Sequence, residues 1–269
     1  MNYRSSPKPL HLFAGCGVVL SAGATAVAAF PVGIPLVGPT GLGTMPTTDT
    51  VPANQVEVGL AYERVKPDFG GRVNFLPDAT ATYGFTRGEV GAAYVRERLS
   101  AFGFSLTSND FTLHGKYRLY ENARNGAAIA AGAHYLRFDN SQGNVASLYL
   151  SGSYPLIAPR EARKYSLRGH LGAIYQRVDA GDSGADSNNE VRPMVGLELL
   201  TGSAFSLAAD YLPKSGDIGR TMSLAARYQM ESGLGAQIGV GRLRDDNKYF
   251  VGVTYRFAGK GKTNETATR

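Results

Sequence analysis

Three of the four histidines lie beyond the first 28 residues, and they are the side chains best suited to proton transfer: His114, His134 and His170. A hydrolase needs a serine or a water that a histidine activates, and a further group that orients the histidine. His114 and His170 lie on the polar faces of alternating segments, but the sequence places no serine or acid beside either. We therefore interpret them as polar interior residues and expect no enzymatic activity.

Metal-binding patterns are equally weak. Asp179, Asp182 and Asp186 are close in sequence, yet they lack the spacing and the closing glutamate of a calcium loop. The sequence has no His-x-x-x-His pair and no Walker loop. We expect no metal site and no cofactor.

The formal net charge of +6 is spread along the chain. Binding of nucleic acid would favour a basic cluster with interleaved aromatic residues, and the sequence has none. Nucleic acid is therefore excluded as a partner.

Charged side chains instead occupy alternate positions, with acids early in the chain and bases later. In a closed cylinder, early and late segments would face each other, so that opposite charges could meet across the interior. Either salt bridges and an inserted segment then close the lumen, or a transverse field lines a narrow polar channel. The candidate lumen-lining residues are Glu57, Glu63, Glu89, His114, Lys116, Arg118, Arg168, His170, Arg192, Arg227 and Arg256.

These side chains are positioned by segments in which every second residue is apolar. Such alternation over about 10 residues is typical of a tilted membrane strand. No apolar pattern at helical spacing persists. The sequence predicts an all-β fold, a closed antiparallel up-and-down barrel of about 12 strands. The segments are 55–65, 72–85, 88–97, 110–120, 126–138, 144–156, 164–177, 190–201, 204–212, 220–230, 233–243 and 248–257.

A soluble sandwich shares this alternation, but two features favour a transmembrane barrel. Aromatic residues bracket the apolar faces, as Tyr165 and Tyr175 do, which suits the two interfaces of a bilayer. Tight connections such as 86–88 also alternate with longer polar ones, including 98–109 and 178–189. Membrane barrels have short turns on one side and longer loops on the other.

The chain outside the barrel divides into three parts. Residues 1–28 are typical of a signal peptide that is cleaved after Ala28 during export, and acylation of Cys16 as in a lipoprotein is an alternative. Residues 29–53 contain five prolines and predict an irregular arm that could plug the barrel. The barrel is expected over 54–257, followed by a disordered tail over 258–269.

The last segment places five apolar residues on one face: Tyr249, Val251, Val253, Tyr255 and Phe257. This pattern resembles the C-terminal signal of outer-membrane β-barrels of Gram-negative bacteria. The resemblance implies a location in the outer membrane and two partners, the outer-membrane lipid and the barrel-assembly machinery. The tail after Phe257 departs from the family pattern, because that signal usually ends the chain.

The arm carries a second resemblance. Gly38-Pro39-Thr40-Gly41-Leu42, followed by Met45-Pro46-Thr47-Thr48-Asp49 and Val51-Pro52, resembles the start of exopolysaccharide-associated barrels of the YjbH-like kind. The resemblance covers about 25 residues and implies a barrel with an N-terminal arm in polysaccharide export.

The sequence therefore leaves three functions to compare. The first is a narrow, porin-like channel or passive transporter for a small polar solute. The second is a non-conducting accessory barrel of envelope or exopolysaccharide assembly. The third is an outer-membrane hydrolase, which the isolated histidines favour least.

Overall fold

The computed structural model describes residues 41–67, 71–101, 104–139, 143–158, 165–179, 188–201, 204–215, 219–243 and 246–257. The predicted signal peptide, the first part of the arm and the predicted tail lie outside these described residues. The strands are β1 (Val56–Lys66), β2 (Arg72–Phe85), β3 (Gly88–Ala101), β4 (Phe104–Glu121), β5 (Ala128–Arg137), β6 (Asn144–Ile157), β7 (Tyr165–Asp179), β8 (Asn188–Thr201), β9 (Phe205–Leu212), β10 (Thr221–Gln229), β11 (Leu234–Leu243) and β12 (Asp246–Phe257).

Each strand pairs antiparallel with its neighbours in sequence, and β1 pairs with β12 to close the sheet. The seam between β1 and β12 runs in continuous register from Val56 opposite Phe257 to Lys66 opposite Asn247. Closure leaves no strand edge whose backbone groups lack a partner strand. The predicted fold class, a closed antiparallel barrel of twelve strands, is confirmed.

The two faces of the wall have opposite character. Leu171, Ile238 and Val191 are more than 60% exposed on the outer face, and aromatic residues such as Tyr165 and Tyr175 lie near its strand ends. A continuous apolar outer surface is stable in lipid and not in water. The wall is therefore that of a transmembrane barrel. Within the described residues, no helix has the length and apolar character needed to cross a bilayer.

One predicted connection is wrong. Residues 98–109 were expected to form a long polar loop, but β3 continues to Ala101 and β4 begins at Phe104. Alternation persists along β3, where Glu97, Leu99 and Ala101 are buried while Arg96 and Arg98 are exposed. The polar outer residues pair across the two strands, with Arg98 Nε donating to Ser105 Oγ at 3.1 Å. Their polarity is that expected of strands that extend past the apolar band, and it does not mark the end of a strand.

The interior also changes along the barrel. We call the end that holds Val56 and Phe257 the near end and the opposite end the far end. Toward the far end, a cluster of buried apolar side chains lines the interior beside charged groups such as Arg192 and Lys248, and we call this cluster the far apolar layer. Its members are Val65, Val73, Phe75, Ala93, Val95, Leu99, Ala101, Leu136, Phe138, Val145, Val178 and Leu243.

Candidate functional site

The described part of the arm, residues 41–55, lies inside the barrel. Its first residues form a tight turn, in which Leu42 N donates to Met45 O at 2.8 Å and Gly41 bridges to Pro46. Leu42 and Met45 are fully buried. They pack on apolar residues of the inner wall, including Ile174 from the middle of β7. The arm therefore reaches well into the lumen before the chain enters β1.

Two glycines permit this close approach. A Cβ atom on Gly196 of β8 would lie 2.3 Å from Leu42 Cδ1. A Cβ atom on Gly43 would lie 1.7 Å from Ser223 Oγ of β10. A side chain at either position would require Leu42 or Ser223 to move, so the two glycines leave room for the buried contacts between the arm and the wall.

Asp210 of β9 anchors the turn of the arm. Its carboxylate accepts hydrogen bonds from Thr44 N at 2.8 Å, from Thr44 Oγ1, and from Ser223 Oγ at 2.9 Å. Asp210 is buried, so these bonds replace the water that its charge would otherwise require. The anchor joins the arm to β9 and β10.

A chain of alternating charges holds the arm nearer the near end. Arg168 of β7 binds Asp49 through two parallel bonds, Nη1 to Oδ2 at 3.0 Å and Nη2 to Oδ1 at 2.9 Å. Arg168 also contacts Glu198 of β8 at 3.3 Å, and Glu198 pairs with Arg227 of β10. The two-pronged geometry is among the stronger forms of ion pair.

The electrostatics at Asp49 follow from this arrangement. Burial within the barrel raises the pKa of the Asp49 carboxyl, but the charge of Arg168 and its hydrogen bonds outweigh that effect. The pKa of Asp49 therefore lies below its usual value. The carboxylate remains charged, and can bind Arg168, throughout the neutral range of pH.

Two further groups hold the arm against β3 and β4. Val51 N donates to Glu89 Oε2 at 2.8 Å, while the other oxygen of Glu89 lies 3.3 Å from Lys116 Nζ. Arg118 Nε donates to Thr48 O at 3.2 Å. Backbone groups of the arm, which form no sheet here, are thus satisfied by charged side chains of the wall.

The structure places a serine and an acid beside His170, which the sequence did not predict. Ser153 Oγ lies 2.8 Å from His170 Nδ1, and His170 Nε2 lies 3.8 Å from Glu198 Oε2. Thr48 Oγ1 of the arm donates to Ser153 Oγ at 2.9 Å, and Ser153 is buried. Thr48 of the arm thus lies where the substrate of a hydrolase would have to approach Ser153. The geometry favours a link between arm and wall over a hydrolase site.

The other predicted interior residues fall into two groups by exposure. Seven are buried, and four arginines are partly exposed, at 12–27% of the side-chain surface. The buried ones are Glu57, Glu63, Glu89, His114, Lys116, His170 and Arg192. The partly exposed ones are Arg118, Arg168, Arg227 and Arg256.

Their contacts run along the wall. Arg256 binds Glu57 across the seam between β1 and β12, with Nη2 at 2.6 Å from Oε2. The expectation that opposite charges meet across the lumen is therefore wrong for this pair, because closure makes the first and last strands neighbours. Arg192 has a different role at the far end, where its guanidinium donates to backbone carbonyls of Leu212, Pro213 and Gly219.

Two further interior residues are His114, which the sequence predicted, and Lys248, which it did not. His114 Nε2 lies 3.3 Å from Thr82 Oγ1, and His134 is its register partner on β5. Lys248 of β12 is buried against Glu63, with Nζ 3.4 Å from Oε2. The parity of the last segment could have identified Lys248, since it alternates with the outward Tyr249.

The five residues of the predicted assembly signal lie on the outer face of β12. Each is between 42% and 49% exposed, and the rings of Tyr255 and Phe257 meet edge to face at 4.7 Å. Their part in assembly stays a prediction. No three His, Cys, Asp or Glu side chains of the described residues are placed to hold a metal ion.

Of the comparisons with known proteins, the one with solved structures finds a similar fold. No family model and no curated protein matches the sequence. The solved structure of the COG4313 outer membrane channel from Pseudomonas putida F1 aligns over 78% of this chain and 98% of that chain, with 10% identity and a TM-score of 0.55. The KdgM porin aligns over 74% and 99%, with 14% identity and a TM-score of 0.47. The outer membrane protein Omp33 of Acinetobacter baumannii aligns over 76% and 98%, with 11% identity and a TM-score of 0.43.

Proposed function

We propose that the protein is an outer-membrane channel for small polar solutes and that its N-terminal arm holds the channel closed. The observation that carries the proposal is the seat of the arm inside a barrel whose interior is charged and whose exterior is apolar. The fold that the chain shares with the COG4313 outer membrane channel supports the same class of function and the same location.

The contacts of the arm are of a kind that can open. Asp49 retains 47% of its side-chain surface exposed, and Arg168 retains 23%. Ion pairs that water can reach contribute little to stability, because water replaces each partner at small cost. A segment with a permanent structural role would be expected to bury mainly apolar surface. The arm instead combines one small apolar turn with a row of polar anchors.

The test is the conductance of the full-length protein in planar bilayers. Wild type should be closed for most of the recording, and Asp49→Ala should increase the open fraction about tenfold, since it removes a charged two-pronged anchor. Asp139→Ala is the matched control, because Asp139 is an exposed acid that follows β5 at the far end, away from the arm. Equal closure of assembled Asp49→Ala and wild type would contradict the arm as the closing element.

A non-conducting accessory barrel of envelope or exopolysaccharide assembly is the second candidate. The far apolar layer favours it, because apolar side chains exclude water from that part of the interior. This function predicts no conductance in wild type, in Asp49→Ala or in a variant that lacks residues 41–52, although all three assemble.

A further inference from the structure

Buried polar groups without a hydrogen bond occur on several strands of the interior wall, including strands that contact the arm. One inward-facing group of such atoms lies on β1, β2, β11 and β12, and none of its atoms has a hydrogen-bond partner among the described residues. These atoms belong to Glu63, Asp78, Thr80, Gln237, Lys248 and Thr254.

Three of these residues are charged and lie together. Lys248 Nζ is 3.4 Å from Glu63 Oε2, across the seam, and 5.2 Å from the centre of the Phe250 ring. Asp78 is the register partner of Ala61, two positions from Glu63 on the same face of β1. Glu63 and Lys248 both act electrostatically on Asp78. The group thus contains two carboxylates and one ammonium.

A carboxylate buried without a partner is expensive. Removing such a charge from water costs several kcal/mol unless hydrogen bonds or a counter-charge replace the water. Both oxygens of Asp78 lack a hydrogen bond from any described residue, although Asp78 is only 1% exposed. Lys248 can balance one of the two carboxylates. The other carboxylate must either hold a proton or meet a positive partner that is not part of the chain.

We propose that Asp78, Glu63 and the Thr80 hydroxyl form a binding step for a small monovalent cation on the solute path. Carboxylate and hydroxyl oxygens are suitable ligands for a hard cation. A ring or cluster of acids in a narrow lumen selects cations over anions. The inference rests on the proposed channel function and names the charge class of its solute.

The inward positions of β12 connect this step to the near end. They are Arg256, Thr254, Gly252, Phe250 and Lys248 in order from the near end. A pocket of about 790 Å³ opens beside Arg256 at the near end, and the turn between β10 and β11 lines its other side. Arg256 is neutralised by Glu57. On the proposed path, a cation that entered there would meet balanced charge first and then the carboxylates near Lys248.

The test is the reversal potential of the full-length protein across a KCl gradient, in the Asp49→Ala background where the open fraction is large. The background should prefer potassium to chloride. Asp78→Asn should lower the ratio of cation to anion permeability about threefold or more, because it removes the uncompensated charge. Lys248→Met should raise the same ratio. Lys66→Met, which changes an exposed lysine beside the outward Tyr249, should leave it unchanged.

Asp78→Asn and Lys248→Met are expected to change the permeability ratio in opposite directions, so the test still decides if one of them fails to assemble. Heat-modifiable migration in detergent gels shows whether each variant has assembled. A permeability ratio that neither Asp78→Asn nor Lys248→Met changes would overturn the cation step while leaving the channel intact. Absence of conductance in assembled wild type and Asp49→Ala would instead contradict the proposed function itself.

Discussion

The two halves of the lumen are closed by different means. Toward the near end, the arm is held by charged and hydrogen-bonded anchors such as Arg168, Glu89 and Asp210. Toward the far end, the wall itself supplies the apolar layer around Phe75 and Leu136. Replacing one hydrogen-bonded anchor by water costs about 1 kcal/mol net. Exposing buried apolar side chains instead costs free energy in proportion to the area exposed. In the proposed channel, the near closure would therefore be the reversible one, and the far layer would limit the size of the opening.

The strongest way to break the near closure is to remove the seat of the arm. Gly196→Leu should displace the arm from the wall, because a Cβ atom alone would already lie 2.3 Å from Leu42 Cδ1. We expect the open fraction to rise more than about tenfold, as for the loss of several anchors at once. Recordings in planar bilayers measure this.

Gly152→Ala is the matched control for that substitution. The nearest atom to a Cβ on Gly152 is a backbone oxygen at 3.8 Å, which is ordinary contact. Unchanged closure in Gly196→Leu, with the barrel assembled, would mean that the turn of the arm does not contribute to closure.

A smaller effect is expected from Asp210→Asn. The amide keeps the shape of the carboxylate but can place a donor toward Thr44 N and Ser223 Oγ, which both donate to Asp210. Leaving buried donors unpaired costs about 1–3 kcal/mol. Limited proteolysis should then cut the arm about tenfold faster or more than in wild type. Asp210→Glu, which keeps two carboxylate acceptors, should retain part of the protection.

The far layer is tested by Phe75→Ala in the Asp49→Ala background. Phe75 is buried in the apolar layer, so truncation opens a cavity there and destabilises the barrel by about 3–5 kcal/mol. Single-channel conductance should rise about twofold if this layer is the narrowest part of the path. An unchanged conductance, with more frequent opening only, would place the narrowest point at the near end instead.

The smallest expected effect is that of Arg118→Lys. The lysine keeps the charge but loses the planar group that reaches Thr48 O through Nε. Arg118 is partly exposed, so the loss should be about 1 kcal/mol or less and the open fraction should change less than about tenfold. A change as large as that of Gly196→Leu would show that the polar anchors act together.

The sequence predicted the wall well and the seat of the arm poorly. Alternation is a local property, so the twelve strands and the inward face of residues such as Lys116 could be found one segment at a time. The polar strand ends near Arg98 and Ser105 were mistaken for a loop, because polarity there depends on the depth of the residue in the bilayer. The pairing of Asp49 with Arg168 joins positions far apart in sequence, and no local pattern specifies it.

The same limit applies to Ser153 and His170. Each lies at an inward position of its strand, but their contact depends on the register between β6 and β7, which the turn sets. The acids and bases of the interior give the opposite case. Their order along the chain is evident from the sequence. The prediction that they meet across the lumen is wrong for Glu57 and Arg256, because closure of the barrel makes these two residues neighbours.

The seam between β1 and β12 also constrains how the protein can be built. The arm leads directly into β1, and β12 is the last strand made by a chain that is synthesised from its amino end. Pairing these two strands is the contact of greatest sequence separation in the wall and therefore the slowest to form. Until it forms, the sheet is curved but open along one side. We therefore expect the arm to bind the inner face of this open sheet and to be enclosed when β1 and β12 pair. Biogenesis would then deliver every new molecule already sealed, with no interval in which a leaky barrel stands in the membrane.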